Sequence, residues 1–226
     1  AKNTEAPSRV YWKRRMKRLV RFLAFCFYLA ALSVGPAHAG PSRLSYQGSS
    51  VFSAPTAYVR SEGGYIIDNG SNLGWFSQPV FGKFLELSGA RYTSGDFKNK
   101  NVLNLKVNCL EESKWIPNVV YGCGDFQKVL GSRVFFWAAS KTFEEFGFTV
   151  HGGFIKDPVT TRKKGYFSLE KTIMPLVTLA GELIDGHTTV GVKLRPYPGV
   201  SAEYAHRQAK GEAEQAIYRL IYVKGF

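Results

Sequence analysis

Strict alternation of apolar and polar residues constrains the fold of this chain more than any other feature. The run NVLNLKVNCL, residues 101–110, sets one parity against the other: Leu103, Leu105 and Val107 against Asn104, Lys106 and Asn108. Successive side chains of a β-strand point to opposite faces, so such a run predicts a strand with one apolar and one polar face. Runs of this kind, separated by turn residues, predict strands near 63–69, 73–79, 82–92, 101–110, 117–125, 132–142, 146–155, 164–172, 176–184, 188–195, 199–206 and 215–225.

Two all-β architectures accept this pattern. A soluble sandwich or barrel turns its apolar faces inward, whereas an outer-membrane barrel turns them toward lipid. Run length, aromatic residues at run ends (Trp75, Tyr92, Trp115, Tyr166) and the aromatic C-terminus AIYRLIYVKGF favour the membrane. Unpaired backbone groups are not tolerated in hydrocarbon, so the strands must close. We therefore predict an antiparallel transmembrane β-barrel of roughly 8–12 strands, with outer-membrane lipid around it and assembly by the barrel assembly machinery.

The N-terminal residues have the pattern of an export signal. A basic stretch that includes Lys17, Arg18 and Arg21 precedes the apolar residues 22–34, and a small-x-small site follows at residues 37–39. The apolar stretch is shorter than the roughly 20 residues of a transmembrane helix. We expect residues 1–15 to be an upstream or non-native extension, residues 16–39 a signal peptide cleaved between Ala39 and Gly40, and residues 40–226 the exported domain of the bacterial outer membrane.

The net charge of +13 first suggests a nucleic-acid partner. Residues 1–39 contain eight Lys and Arg and one Glu, which leaves a net charge of only +6 for the remainder. Apart from the small cluster at residues 162–164, these charges are dispersed. We therefore predict no nucleic-acid partner.

Enzyme signatures are weak. Ser140, His151 and Glu182 can be nominated as a catalytic triad, but no Gly-x-Ser-x-Gly motif accompanies them. Adjacent glutamates such as Glu111 and Glu112 diverge on a strand, so they do not form a glycosidase pair. The cysteines lack metal-binding spacing. The sequence thus predicts no catalytic residue, no metal and no cofactor.

Polar residues on the inward parity of the strands have two interpretations. They form an internal salt-bridge and hydrogen-bond network that plugs a small barrel, or they line a polar path or docking surface for an anionic polysaccharide, which the modest positive charge would favour. The candidates for these lumenal positions are Asn104, Lys106, Asn108, Glu182, Lys193 and Arg195.

Three motifs lie in the first two thirds of the predicted domain. They are Pro-Thr-Ala at residues 55–57, the stretch EESKWIP with a following Asp, and Ala-Ser-Lys; the last two comprise Glu111, Glu112, Ser113, Trp115, Pro117, Asp125, Ala139, Ser140 and Lys141. With them the chain resembles the YjbH-type exopolysaccharide-biosynthesis family of outer-membrane β-barrels. EESKWIP is then expected to be a periplasmic-side turn.

The resemblance implies a non-enzymatic barrel that assists exopolysaccharide production or export, with a polysaccharide and periplasmic secretion proteins as partners. Two alternatives stay open. One is a small structural or porin-like barrel without a polysaccharide role, and the other is a soluble periplasmic β-protein.

Overall fold

Twelve antiparallel strands form a closed barrel in the computed structural model, which describes residues 48–68, 71–156, 163–209 and 214–222. Each strand pairs with its neighbours in sequence, and β12 pairs with β1. The strands are Glu62–Asp68 (β1), Ser71–Val80 (β2), Leu85–Tyr92 (β3), Asn101–Leu110 (β4), Asn118–Gly124 (β5), Val134–Phe143 (β6), Phe148–Lys156 (β7), Lys163–Met174 (β8), Val177–Ile184 (β9), His187–Tyr197 (β10), Val200–Ala209 (β11) and Gln215–Tyr222 (β12). The predicted all-β antiparallel barrel is confirmed, at the upper end of the expected strand number.

The faces of the barrel have the polarity of a membrane protein. Large apolar side chains point outward and are exposed, including Phe76, Trp137, Phe154 (61% exposed), Phe167 and Leu220. Charged side chains point inward and are buried, including Glu86, Lys106 and Arg219. A water-soluble barrel requires the opposite arrangement. Across the described ranges, no helix is long and apolar enough to cross a bilayer.

The two ends of the barrel differ in their connections. At the end where β1 begins, here called the turn end, the connections are residues 81–84, 111–117, 144–147, 175–176 and 198–199. At the opposite end, called the loop end, they include the two longest, residues 93–100 and 125–133. EESKWIP therefore joins β4 to β5 at the turn end.

Residues 48–58 lie inside the barrel, and we call this segment the plug. Residues 59–61 connect it to the start of β1, so the plug enters from the turn end. It folds back on itself as a short hairpin, with a bridge between Ser50 and Pro55 and a hydrogen bond from the Thr56 amide to the Ser49 carbonyl at 3.0 Å. Val51, Ala54 and Ala57 are fully buried.

Toward the loop end the lumen is largely apolar. Inward side chains there form two buried clusters, one of which holds Val51 and Phe52 of the plug and the other Ala54 and Ala57. Phe97 and Leu130, from the two longest connections, pack against the first cluster. Toward the loop end, the described lumen is thus filled by its own side chains and by the plug.

The predicted extension, signal peptide, cleavage site at Ala39 and Gly40, and terminal Phe226 all lie outside the described residues. The expectations for them stay predictions.

Candidate functional site: the plug and its anchors

The tip of the plug is bound by one carboxylate. Glu182 on β9 is 3% exposed and accepts backbone N–H bonds from Phe52 at 3.1 Å and from Ser53 and Ala54, each at 3.0 Å. Three successive amides that converge on one anion form a strong, charge-assisted site. Glu182 had been expected in the lumen, but its partners could not be predicted from the strand pattern.

Two arginines bind the oxygens of the same tip. Arg219 on β12 donates to the Val51 carbonyl at 2.6 Å, and it lies 3.3 Å from the Glu203 carboxylate. Arg207 on β11 donates to the Ser53 hydroxyl. Carboxylate and guanidinium groups of the wall therefore replace the water that the plug backbone would otherwise bind.

Both arms of the plug hairpin are held by a buried ion pair. Glu86 and Lys106 are both fully buried, with 2.7 Å between Oε2 and Nζ. The Ser49 hydroxyl donates to Glu86 at 2.8 Å, and Lys106 donates to the Tyr58 carbonyl at 2.6 Å. The pair thus contacts both arms of the hairpin.

Ser140 and His151, which the sequence nominated for a triad, do meet in the lumen. Ser140 Oγ lies 2.7 Å from His151 Nδ1, and it accepts the Ala57 amide at 2.8 Å. The acid beside His151 is Glu170, at 3.8 Å, whereas Glu182 binds the plug tip. Glu182 therefore does not join Ser140 and His151, and the Ser140 hydroxyl serves as an anchor for the plug.

A further group of contacts, which we call the latch, closes the plug at the turn end. Glu112 accepts the Tyr58 hydroxyl and the Thr142 amide, each at 2.8 Å, and pairs with Lys141 at 3.2 Å. Burial alone raises the pKa of the Glu112 carboxyl, but these donors outweigh burial and lower it. Burial also raises the pKa of Tyr58 to about 12, so its hydroxyl remains a donor.

The motif residues take different places. Residues from all three motifs meet at the plug: Ala57 contacts Ser140, and Lys141 contacts Glu112 and the Ser113 carbonyl. The other residues of the last two motifs do not join them. Glu111 and Trp115 are exposed, Pro117 and Ala139 are partly buried, and the Asp125 carboxylate accepts the Val129 amide at the loop end.

Five of the six lumenal candidates are buried: Asn104, Lys106, Asn108, Glu182 and Lys193. Arg195 is exposed near the end of β10, beside a register shift between Leu194 and Tyr197. Three further residues that bind the plug lie outside the predicted set: Glu86, Arg207 and Arg219. Their signal was the same inward parity as the named candidates, but parity alone does not reveal what a side chain contacts.

No family model and no curated protein matches this chain. Similar solved structures include the KdgM porin and the KdgM porin in complex with disordered oligogalacturonate; each is 8% identical, covers 73% of this chain and 99% of its own, and has a TM-score of 0.56. A triple-mutant Rhodopseudomonas blastica porin is 10% identical, covers 68% of this chain and 55% of its own, and has a TM-score of 0.42. At 8% identity the likeness to KdgM concerns the fold, which is that of outer-membrane porins.

Proposed function

We propose that this protein is a non-enzymatic, porin-like barrel of the bacterial outer membrane whose passage is closed by its own plug. The observation that carries the proposal is the way the plug is held. Glu182, Arg207 and Arg219 bind it through hydrogen bonds to plug backbone and hydroxyl groups, which water can replace when the plug leaves.

Barrel size and orientation agree with a closed channel. Eight-stranded barrels are filled by side chains and porins of about 16 strands are open, so twelve strands leave room for an occupant. Long connections of such barrels face outward and short ones face the periplasm. The turn end, where the plug enters, is therefore assigned to the periplasm, and EESKWIP is a periplasmic turn.

A non-enzymatic function is supported by the position of Ser140, the candidate nucleophile, whose hydroxyl already binds the plug. Ser140 lies 1% exposed beneath the plug, with its hydroxyl bound to the Ala57 amide. A substrate carbonyl has no access to this oxygen in the closed barrel. Membrane lipid, and the barrel assembly machinery during biogenesis, are the partners that this architecture implies.

The finer role, assistance in exopolysaccharide production or export with periplasmic secretion proteins, is supported by the resemblance and by where its motifs lie. Residues of all three motifs belong to or contact the plug or its latch. The motifs that carry the resemblance therefore lie where the barrel is closed. The KdgM porin forms a complex with oligogalacturonate, which makes a saccharide a reasonable solute for a barrel of similar fold. Unchanged polysaccharide secretion in a deletion strain would argue against this role and leave the porin-like function.

Conductance in planar bilayers tests the closed channel. The variant Glu182→Gln removes the charge that binds three plug amides, a loss of about 1.5–3 kcal/mol. Wild-type barrels should be closed for most of the time, and the open fraction of the variant should rise roughly tenfold or more. The matched control is Glu145→Gln, an exposed glutamate at the turn end, which should behave as wild type.

Heat-modifiable gel mobility establishes that each variant is a folded barrel before it is measured. A folded Glu182→Gln barrel with wild-type conductance would show that the plug does not gate the passage. A wild-type barrel that is constantly open would equally overturn the proposal.

A further inference from the structure

A polar cavity of about 410 Å³ lies at the turn end, beside the latch. The side chains that define its chemistry are Arg60, Lys83, Asn108, Glu111 and Asn118. Val59 and the latch residues Tyr58, Glu112 and Thr142 complete the wall. None of the proposed roles of the barrel uses this cavity. Its volume is within the usual range of small-molecule sites.

Asn108 marks the cavity as a ligand site. This side chain is 8% exposed, and none of the described residues donates a hydrogen bond to its buried Oδ1 atom. A buried acceptor without a donor is costly, so such atoms call for an explanation. A ligand hydroxyl in the cavity would supply the missing donor.

The cavity also offers positive charge. Across the described residues, neither the Arg60 guanidinium nor the Lys83 ammonium forms an ion pair, and both side chains are exposed. Arg60 lies over the Tyr58 ring, with 5.2 Å from Cζ to the ring centroid, which fixes its position at the cavity. Glu112 is already balanced by Lys141, so Glu111 alone opposes the two cations.

We propose that this cavity binds an acidic saccharide, with a sugar hydroxyl donating to Asn108 and a sugar carboxylate on Lys83 and Arg60. Amide and carboxylate side chains with few apolar neighbours bind the hydroxyl groups of a sugar. The Arg60 and Lys83 cations favour a sugar that carries a carboxylate. The inference rests on the proposed function, because the cavity meets a periplasmic saccharide only when the turn end faces the periplasm. Because Glu112 and Tyr58 belong to both the cavity and the latch, an occupant lies against the contacts that hold the plug.

Calorimetric titration of the full-length protein in detergent tests the site. The probes are trigalacturonate and maltotriose, an acidic and a neutral trisaccharide. We expect trigalacturonate to bind more tightly. Lys83→Ala should weaken trigalacturonate roughly tenfold through loss of a charge-assisted contact, and leave maltotriose unchanged. Asn108→Leu should weaken both sugars roughly fivefold, because their hydroxyls lose an acceptor.

Lys114→Ala is the matched control, since Lys114 lies in the same turn region but outside the cavity wall. Equal binding of the two sugars, absence of trigalacturonate binding, or trigalacturonate binding that Lys83→Ala and Asn108→Leu leave unchanged would each overturn the inference. These results are independent of conductance. If the Glu182→Gln variant shows the expected rise in open fraction but the protein does not bind trigalacturonate, only the saccharide site is refuted.

Discussion

Inside the barrel, carboxylates accept hydrogen bonds from plug N–H and O–H groups, and cations donate hydrogen bonds to plug oxygens. Glu182 accepts amides, whereas Arg219 and Lys106 donate to carbonyl oxygens. The plug brings backbone groups into a space that excludes water, and each buried group needs a partner. Charged residues supply stronger hydrogen bonds than neutral ones. Glu182, Arg219 and Lys106 thus supply the partners that buried plug backbone requires.

The latch predicts a pH-dependent opening. The pKa of Glu112 is lowered in the closed barrel, so its contribution to closure is complete above the ordinary pKa of glutamate and is lost as pH falls through the lowered value. Tyr58, with its raised pKa, stays protonated throughout this range. In wild type, acidification should therefore cost roughly 1 kcal/mol of closure and raise the open fraction about fivefold.

Glu112→Gln isolates this effect, because glutamine keeps the shape but has no charge to lose. Its open fraction in bilayers should be high already at neutral pH and should change less on acidification than that of wild type. Glu111→Gln, at the exposed neighbour, should retain the full pH response. Identical pH profiles for wild type and Glu112→Gln would exclude the latch as the origin of the response.

At the scale of elements, β7 passes unusually close to β6. A Cβ atom on Gly153 would overlap the Trp137 carbonyl oxygen and lie 2.7 Å from the Tyr166 hydroxyl. That hydroxyl donates to the Pro55 carbonyl of the plug at 2.9 Å. The absence of a side chain at this position lets the strand pair close and leaves Tyr166 free to bind the plug.

Gly153→Ala should therefore destabilise the barrel by about 1–3 kcal/mol, the usual cost of overpacking. Gly152→Ala is the natural control, because its Cβ would meet only the Tyr166 carbonyl, at an ordinary 3.6 Å. Urea unfolding followed by gel mobility measures both. Equal unfolding midpoints for the two variants would contradict the close approach.

The strands could be predicted from sequence and the plug could not, for a physical reason. A period of two reports the two faces of a strand, and each of the twelve predicted runs overlaps one observed strand. Residues 48–58 are mostly small and have no period, and their partners lie on strands far apart in sequence. Parity indicated that Lys106 and Glu182 point inward, but it could not indicate that both contact one hairpin.

At the scale of the whole molecule, the barrel is inverted relative to a soluble protein. Trp137 on β6 is 50% exposed among outward apolar residues, whereas Trp75 on β2 is 5% exposed and packs inside the lumen. The Arg219 guanidinium lies 5.7 Å from the Trp75 ring, so the buried tryptophan has a charged neighbour inside the lumen. Only a surrounding apolar solvent makes this arrangement favourable.

This inversion predicts which tryptophan contacts lipid. In variants that retain either Trp137 or Trp75, with every other tryptophan replaced by phenylalanine, the protein is reconstituted into vesicles of brominated lipid. Bromine quenches fluorescence on contact, so Trp137 should lose most of its emission and Trp75 very little. Acrylamide in water should leave both largely unquenched, because one faces acyl chains and the other the filled lumen. Strong bromine quenching of Trp75 with none at Trp137 would mean that the faces are reversed, and the plug would then lie in an ordinary apolar core.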